Sequence, residues 1–122
     1  MIGAKQKVKK SGSKRYIPSR GDIVWLNFNP RTGKEQAGHR PAIVISPKQF
    51  NSLSSLVFVC PITSKIKGFT FEVPLPEDMQ TNGVVLIHHF RSIDWQARKI
   101  KFVETPQLVV EEICGKLKPL IF

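Results

Sequence analysis

Acidic residues are missing from the first fifteen positions of this 122-residue chain, which carry Lys5, Lys7, Lys9, Lys10, Lys14 and Arg15. Long apolar runs are missing too. No window approaches 18 consecutive apolar residues, so no transmembrane helix and no membrane partner are expected. The basic start is not followed by the apolar stretch of a signal peptide, and a cytoplasmic location is expected. Cysteine is scarce: Cys60 and Cys114 make no disulfide framework, and neither sits in a CxxC spacing. There is no glycine-rich phosphate loop and no βαβ alternation, which disfavours a dinucleotide or P-loop fold. No GxSxG and no Cys-His signature marks a nucleophile. No internal repeat is present.

What remains is an ordinary apolar fraction of 41%, enough for one domain with a real core. The net charge is +10, from 19 basic and 9 acidic residues. Six of the basic residues lie in positions 1–15, which leaves 13 against 9, or +4, for the rest. Residues 1–14 are Lys, Gly and Ser rich and are expected to be a disordered basic extension. Residues 15–122 are expected to form a single domain. A polyanionic partner suits this charge, although a basic tail also serves solubility alone.

Residues 23–28 are β-branched and aromatic and predict a strand. Residues 30–38 read as a long polar loop. The apolar run 41–46 predicts a buried strand, and 47–54 a short helix with Pro47 in its first turn. Residues 56–60 predict a third strand, running into Pro61-Ile62-Thr63-Ser64. Phe69-Thr70-Phe71-Glu72-Val73 alternates as a half-exposed strand should. Residues 84–87 predict a fifth strand ending at His88-His89, and 99–103 alternate again. Thr105-Pro106 reads as a helix start, with the hydroxyl as cap and Pro at the first helical position. Leu108, Val109, Ile113, Leu117 and Leu120 follow at near-helical spacing, with Gly115 and Pro119 obscuring the end. The fold class expected is mainly β: a small, bent barrel with a C-terminal helix.

Functional side chains are densest in Lys34-Glu35-Gln36-Ala37-Gly38-His39-Arg40-Pro41, where a loop enters a core strand. Loops carried by a rigid sheet are common sites of chemistry. Pro41 biases Arg40 towards extended backbone. A guanidinium suits bidentate phosphate binding. His39 can move protons near neutral pH, and Glu35 is a candidate base. A solvated surface loop would show the same composition. Thr63, Ser64 and Lys65 at a strand end can bind a phosphoryl oxygen, though such residues are also ordinary turn formers. On a strand, His88 and His89 would face opposite ways and could not easily share a metal; no metal site is expected. Trp25 and Trp95 are read as core or interface residues, and Cys60 as an inert buried thiol.

Several blocks together resemble the MazF/PemK toxins of type II toxin–antitoxin systems: Arg20-Gly21-Asp22-Ile23-Val24-Trp25, Asn29-Pro30, Glu35-Gln36-Ala37-Gly38-His39-Arg40-Pro41-Ala42 and Cys60-Pro61-Ile62-Thr63-Ser64. The pattern continues through Gly68-Phe69, Phe71-Glu72-Val73, Gly83-Val84 and Arg91-Ser92-Ile93-Asp94-Trp95. The resemblance implies an SH3-like barrel of the CcdB/PemK type, a homodimer and a metal-independent endoribonuclease acting on single-stranded RNA without a cofactor. It implies attack by the RNA's own 2′-hydroxyl and an acidic, MazE-like antitoxin as partner. The family's key Arg and Thr fall on Arg40 and Thr63, with Glu35 and His39 beside them as catalytic candidates. From elementary chemistry His39 or Glu35 is the easier proton carrier, since an arginine is a poor base; the choice among the three stays open.

Arg31, Lys34, Gln36, Ser64, Lys65, Lys67, His88 and Arg91 are candidate RNA contacts. Many relatives carry an acidic residue and Gln where this chain has His88-His89, so sequence preference is expected to differ. Two rivals share the barrel: a gyrase poison of the CcdB type, acting through its C-terminal residues, and a non-catalytic RNA-binding protein.

Overall fold

The computed structural model describes residues 16–29, 33, 38–106 and 109–122. The expected extension, residues 1–14, lies outside them, as do Arg31, Lys34, Glu35 and Gln36. Seven strands form one antiparallel sheet: β1 (Ile23–Asn27), β2 (His39–Val44), β3 (Leu56–Thr63), β4 (Glu72–Pro74), β5 (Val84–Leu86), β6 (Arg91–Asp94) and β7 (Lys101–Glu104). Helix α1 (Lys48–Ser54) joins β2 to β3, a 3-10 turn covers Ile87–His89, and α2 (Val109–Ile121) closes the chain.

The eight-residue β3 is the spine. Its first half pairs with β6, from Leu56↔Asp94 to Val59↔Arg91, and its last two residues pair with β5 at Ile62↔Val85 and Thr63↔Val84. Strand β2 lies along its other edge. The path runs β4-β5-β3-β2-β1-β7. Among the described residues no pairing joins β4 to β7, so the sheet is open where a barrel was expected.

Two apolar layers sandwich this sheet. Ile23, Ile43, Cys60, Ile62, Val85 and Ile87 pack beneath Val109, Ile113 and Leu117 of α2. These three recur every four residues, the spacing of a buried helical stripe. Val24, Leu26, Ala42, Val44, Val57 and Val59 fill the other face with Phe28, Ile93 and Trp95. Burial on both faces is why residues 42–46 read as a continuous apolar run, whereas in 56–60 Leu56 and Phe58 are exposed apolar side chains alternating with buried Val57 and Val59. Cys60 is completely buried, and burial, then the neighbouring Cys114, pushes its thiol up to about 12. It is inert, as expected.

The structure differs from the expected elements where local pattern is a weak guide. Strand β2 starts at His39, two residues early, and β3 continues through Pro61-Ile62-Thr63. Pro47 is the cap of α1, outside the helix. Phe69-Thr70-Phe71 precede the short β4, and Glu72 is buried where the alternation placed it in solvent. Strand β6 was not foreseen, since Arg91-Ser92-Ile93-Asp94 has one apolar residue. Thr105 and Pro106 lie before α2, and the Thr105 hydroxyl donates to Asp22 Oδ1 at 2.9 Å. Gly115 and Pro119 both fall inside α2. Asp22 also accepts from Tyr16 and from the Ser19 N–H, tying the start of β1 to the approach to α2.

Candidate nucleic-acid interface

Strands β2 and β3 carry the site. Two residues beyond their last paired position, Ala42↔Pro61, stand Arg40 and Thr63. Both line a cleft of about 820 Å³. Its walls are His39, Arg40 and Pro41 from β2, Ile62 and Thr63 from β3, Ser64, Lys65, Lys67 and Phe69 from the following loop, and Gln80, Thr81 and Asn82 from another. Trp25, Glu72, Leu86, His88, His89 and Val103 complete it.

The loop between β1 and β2 is held at its neck. The Phe28 N–H donates to Gly38 O at 2.9 Å, and the Gly38 N–H donates to Asn29 Oδ1 at 3.0 Å. Arg98 adds its guanidinium on the carbonyls of Asn27 and Asn29. This collar fixes where β2 begins, and hence where His39 and Arg40 point. The exposed His39 ring stacks on Trp25, with centroids 6.2 Å apart and planes 22° from parallel. Trp25 is 42% exposed, so of the two positions expected for it, core or interface, the core is excluded. Trp95 is buried as expected, donating its Nε1–H to Asn51 O at 2.9 Å.

Thr63 is half-buried, and its Oγ1 accepts the Lys65 N–H at 3.2 Å. That contact uses a lone pair and leaves the hydroxyl hydrogen to donate. Behind it lies Gly83, at φ +115°: a Cβ there would sit 2.1 Å from the Thr63 carbonyl oxygen. Only a glycine permits this approach.

His88 and His89 lie on the 3-10 turn, not on a strand, so they do not face opposite ways. Their rings meet edge to face at 4.3 Å, and His88 packs on Phe71 at 3.9 Å. Phe71 in turn packs on Phe69 at 5.2 Å. Partial desolvation, then His89, hold His88 below the ordinary imidazole value, against the pull of Glu72. These influences favour the uncharged ring of His88, a form suited to stacking.

Of the sequence candidates, the cleft brings together His39, Arg40, Thr63, Ser64, Lys65, Lys67 and His88. Arg91 is not among its lining residues; its guanidinium lies 5.8 Å over the Phe28 ring, and Nη1 is buried with no hydrogen-bond partner among the described residues. Glu35, Arg31, Lys34 and Gln36 are outside the described residues. Sequence reasoning missed Trp25, Glu72 and the 80–82 wall. Among the described residues, no group of three or more His, Cys, Asp or Glu is placed to hold a metal ion. No helix among them is long and apolar enough to cross a membrane.

Residues 19–121 match the family model of the PemK-like, MazF-like toxins of type II toxin–antitoxin systems. The chain is similar to the endoribonuclease toxin MazF of Escherichia coli K12, 44% identical over 84 residues, covering 69% of this chain and 75% of that one. It is also similar to the crystal structure of MazF from Deinococcus radiodurans, with a TM-score of 0.83, 46% identity and coverage of 88% and 98%. A MazE–MazF crystal structure from the same organism matches with a TM-score of 0.78, 46% identity and coverage of 88% and 97%.

Proposed function

We propose that this chain, which belongs to the PemK-like, MazF-like toxins of type II toxin–antitoxin systems, is an endoribonuclease that cuts single-stranded RNA, mRNA included, in the cleft between β2 and β3. The convergence of Arg40 and Thr63 on that cleft carries the reading. Transesterification at phosphorus forms a bond from the 2′-oxygen to phosphorus and breaks the bond from phosphorus to the 5′-oxygen. The products are a 2′,3′-cyclic phosphate and a 5′-hydroxyl. The 2′-hydroxyl proton must go to a base, and the leaving 5′-oxygen must gain one. Charge gathering on the phosphoryl oxygens must be met by fixed donors.

Arg40 supplies the charge and the paired donors for those oxygens, and Thr63 a neutral donor. His39 is the proton carrier nearest to Arg40 along β2, and Glu35 is the alternative from the same sequence block. Side chains therefore supply each requirement, and the reaction is proposed to need no metal. Trp25 and the Phe71-His88 pair offer faces on which unpaired bases stack, and Ser64, Lys65 and Lys67 follow the RNA backbone. Arg31, Lys34 and Gln36 are proposed from the sequence as further contacts to the same strand of RNA.

The molecule is further proposed to act as a homodimer, because Leu120, Ile121 and Phe122 leave an apolar end on α2 for a second copy to cover. An acidic antitoxin would be drawn to its positive charge and fold onto the cleft. Residues 15–122 would be the toxin domain, and residues 1–14 a separate basic extension. The test is cleavage of a long unstructured RNA in excess EDTA by wild type, Arg40→Ala and Thr63→Ala. Wild type should cut at discrete sites. Arg40→Ala should be slower by about 10³-fold and Thr63→Ala by about 10²-fold, the losses typical of a removed transition-state donor. Near-normal cutting by a folded Arg40→Ala protein would sink the assignment.

A further inference from the structure

Glu72 is a carboxylate buried in the wall of a cleft that we read as binding a polyanion, and this inference rests on that reading. Such a charge repels the ligand unless it is turned to other use. Its partners show the use. Oε1 accepts the Gly68 N–H at 2.9 Å, and Oε2 accepts the Lys67 N–H at 3.2 Å, with Oε1 at 3.3 Å from the same nitrogen. Two successive backbone N–H groups thus converge on one carboxylate, the concavity that elsewhere holds an anion. Gly68, at φ +80°, supplies the left-handed turn this needs.

The wall so held, residues 64–70, has no strand pairing of its own. The Thr63 hydroxyl grips one end at Lys65 and Glu72 grips the middle. Exposed Lys65, Lys67 and Phe69 stand on it, facing the cleft. We propose that Glu72 is a positioning residue: it holds this wall so that Lys65 and Lys67 meet the RNA backbone, while taking no part in proton transfer or in contact with the phosphate. Charge-assisted hydrogen bonds are about twice as strong as neutral ones, which suits a single side chain holding an otherwise unpaired loop.

Two measurements on Glu72→Ala and Glu72→Gln test this. In Glu72→Ala, amide hydrogen exchange should rise about tenfold or more at Lys67 and Gly68 and stay unchanged at β2 and α2. On a long unstructured RNA, KM should rise about fivefold or more with kcat within about twofold. The slope of log kcat/KM against log salt should become shallower by about one, as phosphate contacts are lost. Glu72→Gln keeps one neutral acceptor for Gly68 but loses the charge and the acceptor for Lys67, so it should show the same changes at smaller size, about threefold in exchange at Lys67 and about twofold in KM; it carries the test if the alanine variant does not fold. Unchanged exchange at Lys67 and Gly68 would overturn the inference. So would faster exchange with KM and the salt slope as in wild type, or a fall confined to kcat. A wild type that cuts no RNA would instead overturn the ribonuclease reading on which the inference rests.

Discussion

A single buried asparagine shows how much one residue fixes here. Asn51 is fully buried on α1; its amide donates to Pro18 O at 2.8 Å and Ser46 O at 3.0 Å, and its Oδ1 accepts the Ser46 hydroxyl. It ties the segment before β1 to the end of β2. Asn51→Ala takes the amide donors from two carbonyls and the acceptor from the Ser46 hydroxyl, whose oxygen still accepts the Phe58 N–H at 2.9 Å, and should cost about 3 kcal/mol in urea unfolding followed by tryptophan fluorescence. A loss below about 1 kcal/mol would show that water replaces the amide. Residue chemistry was also the most legible layer of the sequence. Arg40 and His39 could be singled out as candidates because charged and titratable side chains are scarce in core strands, and Thr63 through the family resemblance; all three line the cleft. Glu72 could not be, because alternation places it in solvent, and for Trp25 core and interface stayed open. A carboxylate satisfied by backbone N–H groups leaves no mark in hydrophobic alternation, and a tryptophan at a cleft reads like one in a core.

Elements position these residues, and two contacts between elements are open to test. Gly83 enters β5 against the backbone of Thr63. Gly83→Ala requires the end of β3 to move, at a cost above about 2 kcal/mol. Cleavage should fall at least tenfold even below the melting transition, as Thr63 is displaced. Full activity in a stable Gly83→Ala protein would show that Thr63 is not held there. The second contact joins β7 to the 80–82 wall. The Glu104 carboxylate accepts the Thr81 hydroxyl and Thr81 N–H, each at 2.7 Å, and the Gln80 N–H at 3.2 Å. Burial raises its pKa, but these bonds outweigh that and hold it below the ordinary carboxylate range. A depressed folded value means that the contribution is complete above the unfolded value of about 4.3 and is lost as pH falls through the folded one. The stability gap between wild type and Glu104→Gln should therefore be widest near about pH 6 and shrink near about pH 3. A gap independent of pH would show that the charge has no part. Long elements such as β2, β3 and α2 were foreseen because packing on one or both faces writes itself into apolar spacing. The short β4 was foreseen three residues early, and the 3-10 turn and β6 were not, since each depends on partners distant in sequence.

At the scale of the molecule, an open seven-stranded sheet with α2 on one face sets two strand ends and three loops around one basic cleft. Outside residues 1–15 the chain still carries +4, a pull on polyanions, so cleavage by the wild type should weaken with added salt. The SH3-like barrel that the family pattern suggested is not confirmed, because among the described residues no pairing joins β4 to β7. Closure depends on whether the outermost strands pair, and no single strand's sequence states that.

The central claim is that this cleft cuts RNA by attack of the RNA's own 2′-hydroxyl, with Arg40 and Thr63 at the phosphate. Its most direct test is the chemistry of the new ends when a long unstructured RNA is incubated with wild-type protein in excess EDTA. Ends carrying a 2′,3′-cyclic phosphate and a 5′-hydroxyl, absent from a matched strand of 2′-deoxy residues, are the predicted result. Ends carrying a 5′-phosphate, or equal cutting of the deoxy strand, would contradict it.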